Sequence, residues 1–214
     1  MTDFHQDFVE FALSRKVLCF GEFKTKAGRL SPYFFNAGLF NDGESLGRLA
    51  QFYAKAALAA GLRFDVLFGP AYKGIPLAAT AAVALAGNGC NVRYSFNRKE
   101  TKDHGEQGDI VGAPLEGRVL IIDDVISAGT SVKESVDLIR AHGAVPAGVL
   151  LALDRMERGS GTLSAVQEVS QAYDIPVVSI ATLDDLVNYL EDRPEMAQNL
   201  RAVSAYRNRY GINS

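Results

Sequence analysis

Residues 118–131 decide the fold, and they read Arg118-Val119-Leu120-Ile121-Ile122-Asp123-Asp124-Val125-Ile126-Ser127-Ala128-Gly129-Thr130-Ser131. The apolar run from Val119 to Ile122 predicts a strand buried on both faces, as in a parallel sheet. Two carboxylates follow, then a turn of small and hydroxylated residues, then a helical pattern over 132–142. This order predicts an α/β unit with a candidate site where the strand ends.

The turn over 127–131 has the composition of a phosphate-binding loop. Backbone N–H groups in such a turn and the positive end of the following helix bind phosphate dianions. Carboxylates are poor partners for phosphate but accept hydrogen bonds from sugar hydroxyls. Asp123 and Asp124 therefore indicate a phosphorylated ribose, with its 5-phosphate in the turn and its 2- and 3-hydroxyls on the carboxylates. The simpler alternative is that Asp124 or Ser127 merely caps the helix.

Composition narrows the classes of protein that the chain can represent. Its 214 residues suffice for one α/β domain with a small accessory lobe, and its formal net charge of −3 gives no support to nucleic-acid or membrane binding. The longest apolar stretch, 75–86, is too short to span a bilayer. Cys19 and Cys90 lack metal-binding spacing, and the N-terminal residues are acidic and unlike a secretory signal, so a cytoplasmic protein is expected.

Hydrophobic periodicity divides the rest of the chain into alternating elements. We expect an N-terminal helix ending near Arg15, a hairpin over 17–36 and a helix over 44–60. The further strands are expected over 64–68, 91–96, 145–153 and 176–180, and the further helices over 75–86, 162–173, 183–190 and 194–209. This alternation predicts a mostly parallel, doubly wound sheet flanked by helices. The expected parts are a small N-terminal hood over 1–62, a core over 63–182 and C-terminal helices over 183–214.

The segment 118–131 resembles the signature with which type I phosphoribosyltransferases bind 5-phosphoribosyl 1-diphosphate (PRPP). Both have an apolar strand, two acids, a two-residue spacer and then Thr/Ser-Ala/Gly-Gly-Thr. The resemblance implies the type I phosphoribosyltransferase fold. It also implies a set of PRPP-binding residues in this segment, namely Asp123, Asp124, Val125, Ile126, Ser127, Ala128, Gly129, Thr130 and Ser131.

The loop Gly69-Pro70-Ala71-Tyr72-Lys73-Gly74 lies one strand–helix unit before that segment. By itself it is equally typical of a plain turn and of an anion site. Its position makes Lys73 a candidate cation for a diphosphate. In the type I family the matching loop contacts the diphosphate, often through a non-proline cis peptide. The resemblance therefore implies PRPP contacts from Tyr72 and Lys73, and a cis bond between Ala71 and Tyr72.

Residues 98–108 form a highly polar segment, which reads Arg98-Lys99-Glu100-Thr101-Lys102-Asp103-His104-Gly105-Glu106-Gln107-Gly108. Its ordinary interpretation is a solvated hairpin tip, but its cations and histidine also suit a closing lid. The segment resembles the catalytic loop of the orotate phosphoribosyltransferases, Arg-Lys-Glu-x-Lys-x-His-Gly. The resemblance implies PRPP contacts from Arg98, Lys99, Lys102 and His104. The implied catalytic residues are Lys102, which should have the largest effect on rate, with Asp124, His104 and Lys73.

Residues 20–36 resemble the pyrimidine-binding segment of the same family. There the lysine matching Lys26 and the aromatic pair matching Phe34 and Phe35 face the base. Without the resemblance, the two phenylalanines are ordinary strand-core residues and Lys26 is a solvated turn residue. The family's orotate-binding arginine aligns with Arg155, whose planar fork suits a carboxylate. Ser127 stands where many members have threonine, and it is the fifth implied orotate contact.

The resemblance implies Mg²⁺-dependent transfer of the phosphoribosyl group from PRPP to orotate. Orotidine 5′-monophosphate and diphosphate are the products, and Mg²⁺ is held mainly by PRPP and water. A homodimer whose lid loop acts in the partner's site is also implied. Two alternatives stay open: a phosphoribosyltransferase for another base, such as a purine, and a non-catalytic PRPP-sensing regulator. Arg155 argues against a purine, which has no carboxylate, and the lid cations argue against a regulator.

Overall fold

The protein is described by a computed structural model covering residues 3–25, 27–102, 108–127, 129–159 and 161–212, without the side chains of residues 100–102. Its elements in chain order are α1 (Phe4–Ser14), β1 (Leu18–Lys24), β2 (Leu30–Phe35), α2 (Gly43–Ala59), β3 (Val66–Gly69), α3 (Gly74–Gly87), β4 (Arg93–Lys102), β5 (Gly108–Gly112), β6 (Arg118–Asp123), α4 (Thr130–Ala141), β7 (Val145–Asp154), α5 (Ala165–Tyr173), β8 (Val177–Thr182), α6 (Leu183–Glu191) and α7 (Ala197–Tyr210). Short 3-10 helices span Ala37–Leu39 and Pro194–Met196.

The main sheet has six strands in the order β5-β4-β3-β6-β7-β8. All neighbouring pairs are parallel except β4 and β5, which are antiparallel. The predicted fold class, a mostly parallel sheet flanked by helices, is therefore confirmed. The edge strand β5 was not predicted, because its short sequence Gly108–Gly112 has a glycine at each end and only two apolar residues, Ile110 and Val111. Strand β4 also runs beyond the predicted end at Phe96, through polar residues to Lys102.

Each central strand sends alternate side chains to opposite faces of the sheet, and both faces are covered. Leu67 and Leu120 belong to a cluster that includes α1, α2, α3, α6 and α7. Phe68 and Ile121 belong to a second cluster that includes α4 and α5. These four side chains are 0 % exposed. Burial on both faces explains why the strands read as continuous apolar runs.

The hairpin of β1 and β2 forms a separate two-stranded antiparallel sheet. Tyr33 and Phe35 of β2 belong to the first cluster, and the rings of Phe35 and Phe8 lie 6.3 Å apart. The hairpin therefore packs on the same hydrophobic core as the main sheet. Within the described ranges, no helix has both the length and the apolar character needed to cross a membrane.

Candidate active site

Three loops meet at one edge of the sheet, because β3, β6 and β7 are adjacent and parallel. The loop Gly69–Gly74 follows β3, Asp123 and Asp124 lie at the end of β6, and Arg155 follows β7. The carboxyl ends of parallel strands are where open α/β sheets bind ligands. The structure thus gathers candidate residues that lie far apart in the sequence.

The two aspartates are buried and held by several hydrogen bonds. The carboxylate of Asp123 accepts the N–H of Asp124 at 2.9 Å and the hydroxyl of Ser131 at 3.2 Å, while its carbonyl oxygen accepts the hydroxyl of Tyr53 at 2.8 Å. One oxygen of Asp124 accepts the N–H of Val125 at 2.9 Å. Burial, reinforced by the negative charge of Asp124, raises the pKa of Asp123 to about 6. The carboxylates are therefore fixed acceptors at the mouth of the site.

The turn after the aspartates leads into α4 without a side-chain cap. The N-cap residue is Gly129, in the left-handed conformation at φ 72°, and among the described residues no side chain accepts a backbone N–H of the first turn. Asp124 and Ser127 therefore do not cap this helix, and the capping alternative is wrong. The uncapped N–H groups and the helix dipole can bind a phosphate.

The loop Gly69–Gly74 folds tightly back on itself. A Cβ on Gly69 would lie 2.1 Å from the carbonyl oxygen of Gly74, so glycine is required there. The peptide bond between Ala71 and Tyr72 is cis, as the resemblance implied. The ammonium of Lys73 lies 2.6 Å from the carboxylate of Asp124, and this ion pair joins the loop to the end of β6.

Strand β4 brings two further candidate cations to this edge. The ammonium of Lys99 lies 4.8 Å from the centroid of the exposed Tyr72 ring. Arg98, the preceding residue, is half-buried. The side chain of Asn97 accepts the N–H of Ala71 at 2.8 Å, which ties β4 to the loop after β3.

Arg155 is half-buried and enclosed by groups from the hairpin and from its own loop. Its Nε donates to Glu157 Oε1 at 2.8 Å, and its Nη2 donates to Ser31 Oγ at 3.1 Å. The guanidinium carbon lies 4.4 Å from the centroid of the Tyr33 ring. Burial raises the pKa of Tyr33 well above its usual value, so the ring is neutral.

The two phenylalanines of β2 point in opposite directions. Phe34 is 45 % exposed and its ring stacks on Phe23 at 5.3 Å, whereas Phe35 is 7 % exposed and lies in the core. Consecutive residues of a strand face opposite sides of the sheet. Both rings therefore cannot line one face, and only Phe34 is exposed to a ligand.

Several implied site residues fall outside the described residues. Lys26, Ala128 and His104 belong to the undescribed positions, and Lys102 ends β4 but its side chain is not described. Their roles stay predictions. The described members lie in or directly after the neighbouring strands β3, β4, β6 and β7, and they are Tyr72, Lys73, Arg98, Lys99, Asp123, Asp124, Val125, Ile126, Ser127, Gly129, Thr130, Ser131 and Arg155.

The comparisons with known proteins agree with this geometry. The family described as "Phosphoribosyl transferase domain" matches residues 40–178. The orotate phosphoribosyltransferase of Thiobacillus denitrificans is 68 % identical over 212 residues, covering 99 % of this chain and 100 % of that protein. The chain belongs to the orotate phosphoribosyltransferase family. The orotate phosphoribosyltransferase of Chromobacterium violaceum is 67 % identical over 213 residues, with 100 % of both chains covered. The crystal structure of the orotate phosphoribosyltransferase of Francisella tularensis superposes with a TM-score of 0.87 at 41 % identity, covering 96 % of this chain and 99 % of that one.

In this member of the orotate phosphoribosyltransferase family, the residues that surround Arg155 were not predicted from the sequence. Ser31 and Tyr33 come from a strand more than a hundred positions away, and Glu157 shares the loop of Arg155. One signal was available, because a half-buried guanidinium needs a carboxylate partner and Glu157 lies two residues away. The sequence carried no comparable signal for Ser31 or Tyr33.

Proposed function

We propose that this protein transfers the phosphoribosyl group of PRPP to orotate, giving orotidine 5′-monophosphate and diphosphate in pyrimidine biosynthesis. The observation that carries the proposal is that three binding features lie at one edge of the sheet. These are an uncapped helix start beside two buried carboxylates, a lysine loop paired to one of them, and an arginine held at the hairpin. The 67–68 % identity to orotate phosphoribosyltransferases over nearly the whole chain supports orotate as the base.

The ribose 5-phosphate would lie in the turn over 125–131, on backbone N–H groups that include that of Ser131 and on the hydroxyls of Ser127 and Thr130. Asp123 and Asp124 would accept the hydroxyls of the ribose. As the bond to diphosphate breaks, the ribose gains positive charge, and chemistry of this kind passes through an oxocarbenium-like state. Two fixed carboxylates beneath the ring favour that charge electrostatically.

The diphosphate would contact the loop after β3 and the cations of β4 and the lid. Lys73 and Lys99 lie at the described edge of the sheet, and Arg98, Lys102 and His104 are the cations proposed for the lid. A ring nitrogen of orotate, whose proton passes to water, forms its bond to the anomeric carbon while the carbon–oxygen bond to diphosphate breaks, and the electron pair of that bond leaves with diphosphate. The cations stabilise this charge, and a protonated His104 would donate its proton to the departing group. No covalent nucleophile from the protein is needed.

Orotate would bind between the hairpin and the end of β7. Arg155 offers a guanidinium to its carboxylate, and Phe34, with its exposed ring, would stack near the base. Lys26 and Ser127 are the polar contacts proposed for the remainder of the base. Phe35 would act from behind, as a core residue that supports the strand.

Mg²⁺ is the proposed cofactor, as phosphoribosyltransferases generally use it with PRPP. Among the described residues there is no group of three or more acidic, histidine or cysteine side chains that could hold a metal. The site instead offers the carboxylates of Asp123 and Asp124, which suits an ion that keeps substrate and water oxygens as its main ligands. When bound, the ion neutralises negative charge on the diphosphate.

The proposed active form is a cytoplasmic homodimer in which the lid loop, with Arg98, Lys102 and His104, reaches the partner's site. Cys19 and Cys90 are both free, which suits a reducing compartment. Mixing inactive Lys102→Ala with inactive Asp124→Asn tests action in trans, because a mixed dimer would contain one intact site. Activity should return after subunit exchange. No recovery after confirmed exchange would contradict action in trans.

A base panel tests the function itself. Purified protein is incubated with PRPP and Mg²⁺, and with orotate, uracil, hypoxanthine or xanthine in separate reactions, and diphosphate release is measured. We expect turnover with orotate alone. Turnover of a purine without orotate would establish the other-base alternative, and PRPP binding without turnover of any base would favour the regulator.

A further inference from the structure

The carboxylate of Glu157 lies between two arginines that come from different parts of the chain. Its Oε1 lies 2.5 Å from Arg155 Nη2 and 2.8 Å from Arg155 Nε, and its Oε2 lies 3.5 Å from Arg29 Nη1. The side chains of Arg155, Glu157 and Arg29 are 17 %, 16 % and 20 % exposed. These three residues, called here the arginine–glutamate triad, therefore interact where solvent screens charge only weakly.

We propose that Glu157 is a positioning residue that orients Arg155 toward the carboxylate of orotate. This inference rests on the proposed role of Arg155 as the orotate contact. Glu157 would not touch the substrate. It would fix the plane of the guanidinium and offset one of two neighbouring positive charges.

The contacts of Arg155 define one orientation of its fork. Glu157 and Ser31 together engage Nε and Nη2, and the ring of Tyr33 lies against the guanidinium face. Nη1 takes part in none of these contacts. An arginine fixed through one edge and one face presents its other edge in a constant direction, which lowers the entropy lost when a carboxylate binds.

The backbone around Glu157 is itself held by the C-terminal end of the chain. Glu157 forms a β-bridge with Gly211, and the carbonyl oxygen of Met156 accepts the N–H of Ile212 at 2.9 Å. The N–H of Arg158 donates to the carbonyl oxygen of Tyr210 at 2.8 Å. Because the backbone of Glu157 is hydrogen-bonded to this C-terminal segment, its carboxylate can hold Arg155 in one place, whereas a carboxylate on a free loop could not.

Charge gives the triad a second effect. Two arginines and one glutamate leave a single net positive charge, which matches the single carboxylate of orotate. Without Glu157, Arg155 and Arg29 would repel each other and Arg155 would lose the partner of its Nε. We therefore expect a poorly oriented fork rather than a stronger anion site.

The test measures KM values separately for orotate and for PRPP. Glu157→Ala should raise the KM for orotate by about tenfold, since a charge-assisted hydrogen bond is lost, and leave the KM for PRPP unchanged. Glu157→Gln, which keeps an oxygen acceptor, should recover part of the loss. Asp65→Asn is the matched control, because it weakens another carboxylate–arginine pair, in which Asp65 contacts Nε and Nη2 of Arg118 at the start of β6, the opposite end of that strand from Asp123. It should change neither KM.

A double mutant separates positioning from a general structural role. If Glu157 acts through Arg155, Arg155→Ala/Glu157→Ala should bind orotate no more weakly than Arg155→Ala alone. Additive losses, or equal increases in the KM for orotate and for PRPP, would overturn the inference. An Arg155→Ala protein with a normal KM for orotate would instead overturn the proposed role of Arg155.

Discussion

The proposed ribose-phosphate site and the proposed orotate site differ in how far apart their residues lie along the chain. The first is largely contained in residues 123–131, where the end of β6 and the start of α4 place the carboxylates and the N–H groups together. In the second, Arg155 donates to Ser31, which lies 124 positions earlier, and to Glu157, whose backbone pairs with Gly211. A site within one local motif can be predicted from sequence, whereas a site assembled by packing needs the fold.

The largest loss of activity should follow Gly69→Ala. This change displaces the loop Gly69–Gly74, whose Lys73 pairs with Asp124 in the ribose-phosphate site. The new Cβ would lie 2.1 Å from the Gly74 oxygen and 2.9 Å from Ala78 Cβ, so the loop carrying Lys73 must move. We expect turnover to fall by about a hundredfold, and urea denaturation to show a loss of about 1–3 kcal/mol.

A control for this change is Gly47→Ala on the exposed side of α2, where a Cβ meets nothing within 4 Å. It should leave turnover unchanged and raise the free energy of unfolding by under about 1 kcal/mol. Normal turnover in Gly69→Ala would show that the tight fold of this loop is not needed to place Lys73.

The buried carboxyl group of Asp123 in the ribose-phosphate site should lower the free energy of unfolding, and this loss should grow as pH rises. Because the pKa of Asp123 is raised to about 6, the folded protein binds more protons than the unfolded chain between about pH 4 and 6. The contribution of Asp123 to the free energy of unfolding therefore falls as pH rises through this range. Asp123→Asn should lack this fall and be more stable than wild type at pH 7 by about 3 kcal/mol.

Denaturant titrations at pH 4 and pH 7 measure this difference, and substrates are omitted because the variant is expected to be inactive. The gain should be much smaller at pH 4, where the carboxyl group is protonated in the folded state. A gain of equal size at both pH values would show that the buried charge is not its cause.

The orotate site is tested by Arg155→Lys, which keeps the positive charge but removes the planar fork. Lysine cannot make the Nε and Nη2 contacts to Glu157 and Ser31 together. We expect the KM for orotate to rise by about tenfold and the KM for PRPP to stay the same, in steady-state kinetics. A parallel rise in the KM for orotate and the KM for PRPP would show that binding at the two sites is energetically coupled.

The smallest effect is expected from Ser131→Ala at the start of α4. Its hydroxyl donates to Asp123 at 3.2 Å, and this bond lowers the pKa of that carboxyl group. The variant should lose under about 1 kcal/mol of stability at pH 7 and less at pH 4. Ser131→Thr keeps the hydroxyl and should restore the loss. A loss independent of pH would show that the hydroxyl does not act on the charged form.

The sequence predicted most of the architecture because the apolar strands and amphipathic helices alternate clearly. The strand over 119–122, its two acids and the helix behind them were found within one residue or two of their observed bounds. Strand β5 was missed because a five-residue segment with a glycine at each end has little strand character. Its partner β4 continues through charged residues that resemble a loop.

Within the site, the limits have the same physical origin. The resemblance implied that Phe34 and Phe35 both face the base. Consecutive residues of a strand point to opposite sides, and this rule could have separated them from the sequence alone. The partners of Arg155 were not available, because which hydroxyl or ring meets a guanidinium across the fold depends on how the hairpin docks. Lys73 was identified by its position in the chain, but its ion pair with Asp124 depends on how the loop after β3 folds against the end of β6.

The two faces of the sheet are covered unequally, and this has a consequence for motion. The cluster that includes α1, α2, α3, α6 and α7 is larger than the cluster beneath α4 and α5, and α4 begins at the phosphate turn. Local opening is easiest where fewer apolar groups are buried, so amide hydrogens of α4 should exchange with deuterium sooner than those of α2. A ligand that contacts both the turn before α4 and the end of β6 would slow amide exchange in α4 and reduce this difference from α2.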